Sequence, residues 1–121
     1  RFEAVEHRCG LSSLEYDPHN HRLYLMTSFE NEQGGIDSIG GYLWVIDMAD
    51  FDRGRAPALV ENEAGGPLIF KHKAEGLAVL DHECLFVAYD NDRELALGDH
   101  DPEREQKYAC EAPWTLLQMI P

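Results

Sequence analysis

At 121 residues, 44% of them hydrophobic, the chain has the length of a single domain and enough apolar side chains for a modest core. Its 10 basic against 23 acidic residues leave a net charge of −13, which repels phosphate backbones and anionic lipid head groups, so neither nucleic acid nor a membrane surface is expected as a partner. No run approaches the ~20 apolar residues of a membrane span, and a soluble protein is expected.

No signal-peptide pattern is present; the chain starts at Arg1 without a methionine, directly on a strand-like segment, Phe2 to Glu6, which leaves room for a leader or further domains upstream. Gly10 to Glu15 and Arg22 to Ser28 then read as two strands around Asp17-Pro18-His19-Asn20-His21. That pentapeptide is turn chemistry: Pro presets φ, while Asp and Asn bond back to the local backbone. A polar insertion, Phe29 to Gly40, precedes a third strand, Tyr42 to Met48, that is apolar almost throughout. Asp50 to Pro57 reads as a loop, and Ala58 to Glu61 and Leu68 to Lys71 as short strands around Gly65-Gly66-Pro67.

The pattern then recurs. Gly76 to Leu80 and Leu85 to Tyr89 repeat the opening pair, Asn91 to Pro113 is a second polar insertion, and Trp114 to Met119 is a third strand again. Matching Gly10 to Gly76 and Leu23 to Leu85 gives offsets of 66 and 62, so the second copy carries a turn four residues shorter. The continuous apolar runs imply strands buried on both faces. Small antiparallel sheets in tandem, covered on both sides, are the sequence signature of β-propeller blades. The expected fold is therefore all-β, with about two blades at residues 10–62 and 68–120. Since a closed propeller takes ~4 to 8 blades, the remainder would come from the same polypeptide or from further copies of the chain. A two-sheet sandwich is the alternative.

The stretch Ala74-Glu75-Gly76-Leu77-Ala78-Val79-Leu80, followed by Leu85 to Tyr89 and Asp90-Asn91-Asp92, resembles the propeller domains of the phytase-like esterase family and related bacterial propellers. The close match covers about 15 residues. The first copy matches loosely, with Cys9 in place of the glutamate and Ser28-Phe29-Glu30 in place of the acidic triplet. The resemblance implies a multi-bladed propeller whose polar rim binds a divalent cation or a polar ligand. It supplies no nucleophile.

In such a blade the start of the first strand and the end of the second share a rim, which puts Glu75 with Asp90, Asn91 and Asp92. Oxygen ligands converging from two loops suit a hard cation, Ca²⁺ above all. On that reading Glu75, Asp90 and Asp92 hold the metal, while Lys73 and Asn91 contact the ligand. His72 is the general-base candidate of a metal-assisted ester or phosphoester hydrolase. The other reading is a non-catalytic propeller scaffold for a small polar ligand or a protein, in which Glu75 and Asp90 only tie down loops. His19 and His21 read as polar turn residues, and the acidic run Asp90 to Glu105 departs from an EF-hand at Leu95 and Asp101. No serine lies in a nucleophile elbow. Cys9, Cys84 and Cys110 are expected to act as small hydrophobes, and Trp44, Trp114, Tyr42 and Phe86 as packing residues between blades.

Overall fold

The computed structural model describes residues 9–30, 39–71, 74–89 and 114–119. Those residues are mostly β, 63% strand and 7% helix, and all the pairing among them is antiparallel, as the alternation and the apolar runs require. The first sheet is a meander of β1 (Gly10–Asp17), β2 (Arg22–Glu30) and β3 (Ile39–Asp47), extended along β3 by two short strands, β4 (Ala58–Leu59) and β5 (Ile69–Phe70). The second is a three-stranded meander of β6 (Ala74–Val79), β7 (Cys84–Tyr89) and β8 (Trp114–Gln118). Every strand expected from the sequence within the described residues is present, with ends shifted by up to three residues. Phe2 to Glu6 lies outside them.

One expectation changes locally. The segment read as a loop from Asp50 begins as a single helical turn, α1 (Met48–Asp52), which Asp47 enters in extended conformation. Asp50 then accepts from Arg55 at 3.1 Å, and Gly54 reverses the chain with φ of +73°, which the absence of a Cβ permits.

The repeat is real, but its register differs from the one the glycines suggest. Leu14 pairs with Leu25 and Tyr16 with Leu23; Leu77 pairs with Val87 and Val79 with Leu85. The offset is thus 63 along the first strands and 62 along the second, and the turn of the second copy is one residue shorter. Gly10 is not the counterpart of Gly76; Ser13 is. The cause is a β-bulge in each first strand, between Leu11 and Ser13 in β1 and between Ala74 and Gly76 in β6, which a glycine-to-glycine match cannot see.

The sheets pack face to face with β1 beside β6. Strict alternation puts Tyr24, Met26, Leu43 and Val45 on one face of the first sheet. They form the main core with Leu77, Val79, Leu85, Val87 and Tyr89 of the second. On the opposite face of the first sheet, Phe29, Tyr42 and Trp44 form a smaller buried cluster with Cys9, Leu25 and Leu59. β3 is therefore buried on both faces, as its unbroken apolar run predicts. Trp44 Nε1 donates to Thr27 Oγ1 at 2.9 Å inside this second layer, satisfying the indole without water.

β7 and β8 depart from that expectation. They alternate between buried and accessible residues, and Trp114 and Leu116 are 59% and 52% exposed. Trp114 is thus not core; it stacks on Phe86, ring centroids 5.8 Å apart, on an open face of the second sheet. The apolar run in β8 marks a second face that the described chain leaves uncovered.

Close approach of the sheets depends on Gly41. A Cβ there would stand 2.8 Å from the Thr27 carbonyl oxygen and 3.2 Å from Ala74 Cβ on the neighbouring sheet. Hydrogen bonds fix the two first strands along their length. Ser12 Oγ lies 2.8 Å from the Ala74 carbonyl at one end, and Asn20 Nδ2 donates to the His82 carbonyl at 3.0 Å at the other. β1 and β6 therefore run in the same direction, each followed by a hairpin turn at the same end.

Candidate functional site

Of the six residues singled out from the sequence, His72, Lys73, Asp90, Asn91 and Asp92 lie outside the described residues. Glu75 lies within them, and its position is informative. Ala74 pairs with Tyr89 and Gly76 with Ala88, so Glu75 is the extra residue of the β6 bulge, and its side chain is exposed. A bulge re-aims the side chain that it inserts and is common beside functional sites. The start of β6 adjoins the end of β7, the edge at which the sequence argument places Glu75.

The counterpart of Glu75 in the first sheet is Ser12, the inserted residue of the β1 bulge, and not Cys9. Ser12 Oγ stands 2.8 Å from the Ala74 carbonyl and 3.1 Å from the Met26 carbonyl; with a single proton it donates to one or shares it between both. The first sheet thus uses its bulge residue to hold the second, while the second sheet presents an exposed carboxylate at the same position.

The hairpin end is built around Asp17, a buried carboxylate. It accepts from the His19 amide at 2.9 Å, the Asn20 amide at 3.2 Å and Asn20 Nδ2 at 2.9 Å. Arg22 Nε is 3.5 Å away, too far for a hydrogen bond, and its guanidinium lies over the Tyr24 ring at 5.2 Å. Burial pushes the Asp17 carboxyl upward as the largest single influence, but the Asn20 side chain, the Asn20 and His19 amides and the Arg22 charge together hold it below its ordinary value. His21, at φ of +55°, accepts or donates at 2.7 Å with the Tyr16 hydroxyl. These are turn-forming roles, as the sequence reading has it for His19 and His21.

Cys9 and Cys84 are half-buried thiols, and burial pushes the Cys9 thiol up, with the Thr27 hydroxyl opposing it. Reactive cysteines are the reverse, accessible and of lowered pKa. Cys110 lies outside the described residues. Tyr89, just before the acidic triplet, is buried with its hydroxyl 2.6 Å from Thr115 Oγ1; burial raises its pKa, with the Thr115 hydrogen bond opposing.

A cleft of ≈ 380 Å³ lies between the β4–β5 connection and β8, with an apolar floor of Val60, Leu68, Leu117 and Met119 and Glu61 and Glu63 at its rim. Sequence reasoning missed it, because its walls come from segments about 55 residues apart that only the sheet packing brings together. Among the described residues no three His, Cys, Asp or Glu side chains converge on a common point. No described helix is long and apolar enough to cross a membrane.

No protein family, curated protein or solved structure matches the chain. The class that fold and site define is an all-β protein of two antiparallel sheets, repeated in sequence and packed in one sense.

Proposed function

We propose that the chain is a β-propeller-type scaffold whose role is to bind a partner, with a cationic protein segment or amine-bearing ligand as the class it fits. The observation that carries this reading is the head-to-tail arrangement of the two bulged meanders, with β1 alongside β6 and opposite faces of the repeat meeting at the contact. Such packing propagates from sheet to sheet, as blades do around a propeller, whereas a sandwich joins two inner faces and stops. The net charge of −13 supports a cationic partner, and the cleft beside Glu61 and Glu63 offers apolar contact for its stem. Titration with a lysine-rich peptide and with a neutral peptide of equal length tests the reading. Binding of the basic peptide alone, weakened by salt and by Glu61→Gln with Glu63→Gln, is the expected result; equal binding of both peptides, or of neither, counts against it.

A second reading is kept because Glu75 is exposed on a bulge at a strand start. It is the metal-assisted ester or phosphoester hydrolase of the phytase-like esterase type, in which Glu75, Asp90 and Asp92 would hold a divalent cation that acts as Lewis acid, with His72 beside them. Calorimetric titration with Ca²⁺, Mn²⁺ and Zn²⁺ decides for or against this reading. Heat that is lost in Glu75→Gln supports it, and no heat from any of the three in folded protein removes it.

A further inference from the structure

The two sheets meet through unlike faces, and the chain carries a second copy of each half of that contact, one open on the second sheet and one open along β1 of the first. In the existing contact the first sheet offers Tyr24, Leu43 and Val45. By register their counterparts in the second sheet are Phe86, Trp114 and Leu116, which lie on the open face. The second sheet answers with Leu77 and Val79, whose counterparts in the first sheet are Leu14 and Tyr16. Leu77 is buried and Val79 is packed against the core, yet Leu14 and Tyr16 are 53% and 43% exposed.

We propose that the open face of the second sheet, centred on Trp114, Leu116 and Phe86, docks head to tail on the β1 side of a second copy of this chain, at Leu14 and Tyr16. The inference rests on the scaffold reading above and deepens it by naming the partner at this face. The occupant follows from the repeat: a surface built of the residues that receive Leu77 and Val79 fits the one other place where their counterparts stand exposed. Over β2 and β3 that acceptor face is already covered, with Leu23, Trp44 and Ile46 buried, so the contact seats along β1. An exposed aromatic stack beside a large aliphatic residue, on a sheet whose other face is core, is the usual mark of an interface. Unlike halves make the contact heterologous, so repetition closes a ring or extends a chain.

The test uses the whole chain and two substitutions, Leu116→Glu in the docking half and Leu14→Glu in the receiving half. Both positions are exposed, and neither change buries a charge in the folded monomer. Sedimentation equilibrium should give the wild type a mass of at least two chains that rises with concentration, and each variant alone the mass of one. An equimolar mixture of the two variants should regain pairs and nothing larger, because one docking half and one receiving half remain intact between them. A wild type that stays monomeric at every concentration overturns the proposal. So does self-association of Leu14→Glu at the wild-type level, which would mean a two-fold contact of open face with open face. Far-UV circular dichroism on the same samples separates two failures: a β-rich monomer defeats the proposal and leaves the scaffold reading standing, while a spectrum dominated by helix defeats both.

Discussion

Ser12 and Glu75 occupy the same place in the repeat, each the inserted residue of a bulge in the first strand of its sheet, and the Ser12 hydroxyl reaches the carbonyl of the residue before Glu75. The bulge of one sheet is thereby bonded to the bulge of the next. Removing the hydroxyl should loosen that joint, together with its contact to the Met26 carbonyl within the first sheet. Ser12→Ala is expected to cost about 1 kcal/mol, the net worth of one partly buried hydrogen bond, read as a lower denaturant midpoint with an unchanged slope.

Gly41 sits where the Thr27 carbonyl and Ala74 leave no room for a methyl group. Both obstacles are fixed, one being backbone and the other a Cβ on the opposing sheet. Gly41→Ala should destabilise by about 1–3 kcal/mol, the usual range for overpacking. Gly10, with open space around its Cα, should accept alanine with little change in thermal midpoint.

The Asp17 carboxyl is held below its ordinary value in the folded chain, so the folded state favours the charged form. Its contribution is complete above the unfolded value of about 3.9 and is lost as pH falls through the lower folded value. Denaturation curves across the acid range should therefore show stability falling below about pH 4, and Asp17→Asn should show a shallower fall together with lower stability at neutral pH. A parallel pair of curves would remove Asp17 from the account.

Thr27 is fully buried and accepts from the Trp44 indole in the second apolar layer. Thr27→Val keeps the shape and removes the acceptor, so a loss of about 1–3 kcal/mol is expected. Near-ultraviolet circular dichroism should report altered Trp44 surroundings, while the signal of exposed Trp114 stays as it was.

The strands were legible in the sequence because alternation and apolar runs are local signals, and Asp17 to His21 spelled out its turn. Register was not. A bulge adds one residue without changing composition, so Gly10 and Gly76 looked equivalent when Ser13 and Gly76 are. The apolar run of β8 likewise shows a second hydrophobic face, which the blade reading has further blades cover and which lies open in this chain, since sequence states what a face is made of and not what lies against it. Of the proposed rim, Glu75 alone falls within the described residues, where it is exposed near the start of β6.

The head-to-tail relation of the sheets depends on which face of the first meets the second. Methyl and aromatic nuclear Overhauser contacts measure this directly in the folded chain. Met26, Leu43 and Tyr24 should show cross-peaks to Leu77, Leu85 and Val87, and Trp44 none to that set. Cross-peaks from Trp44 or Tyr42 to Leu77 and Val87, with none from Met26, would mean that the sheets pack through the other face, and the head-to-tail relation would be wrong.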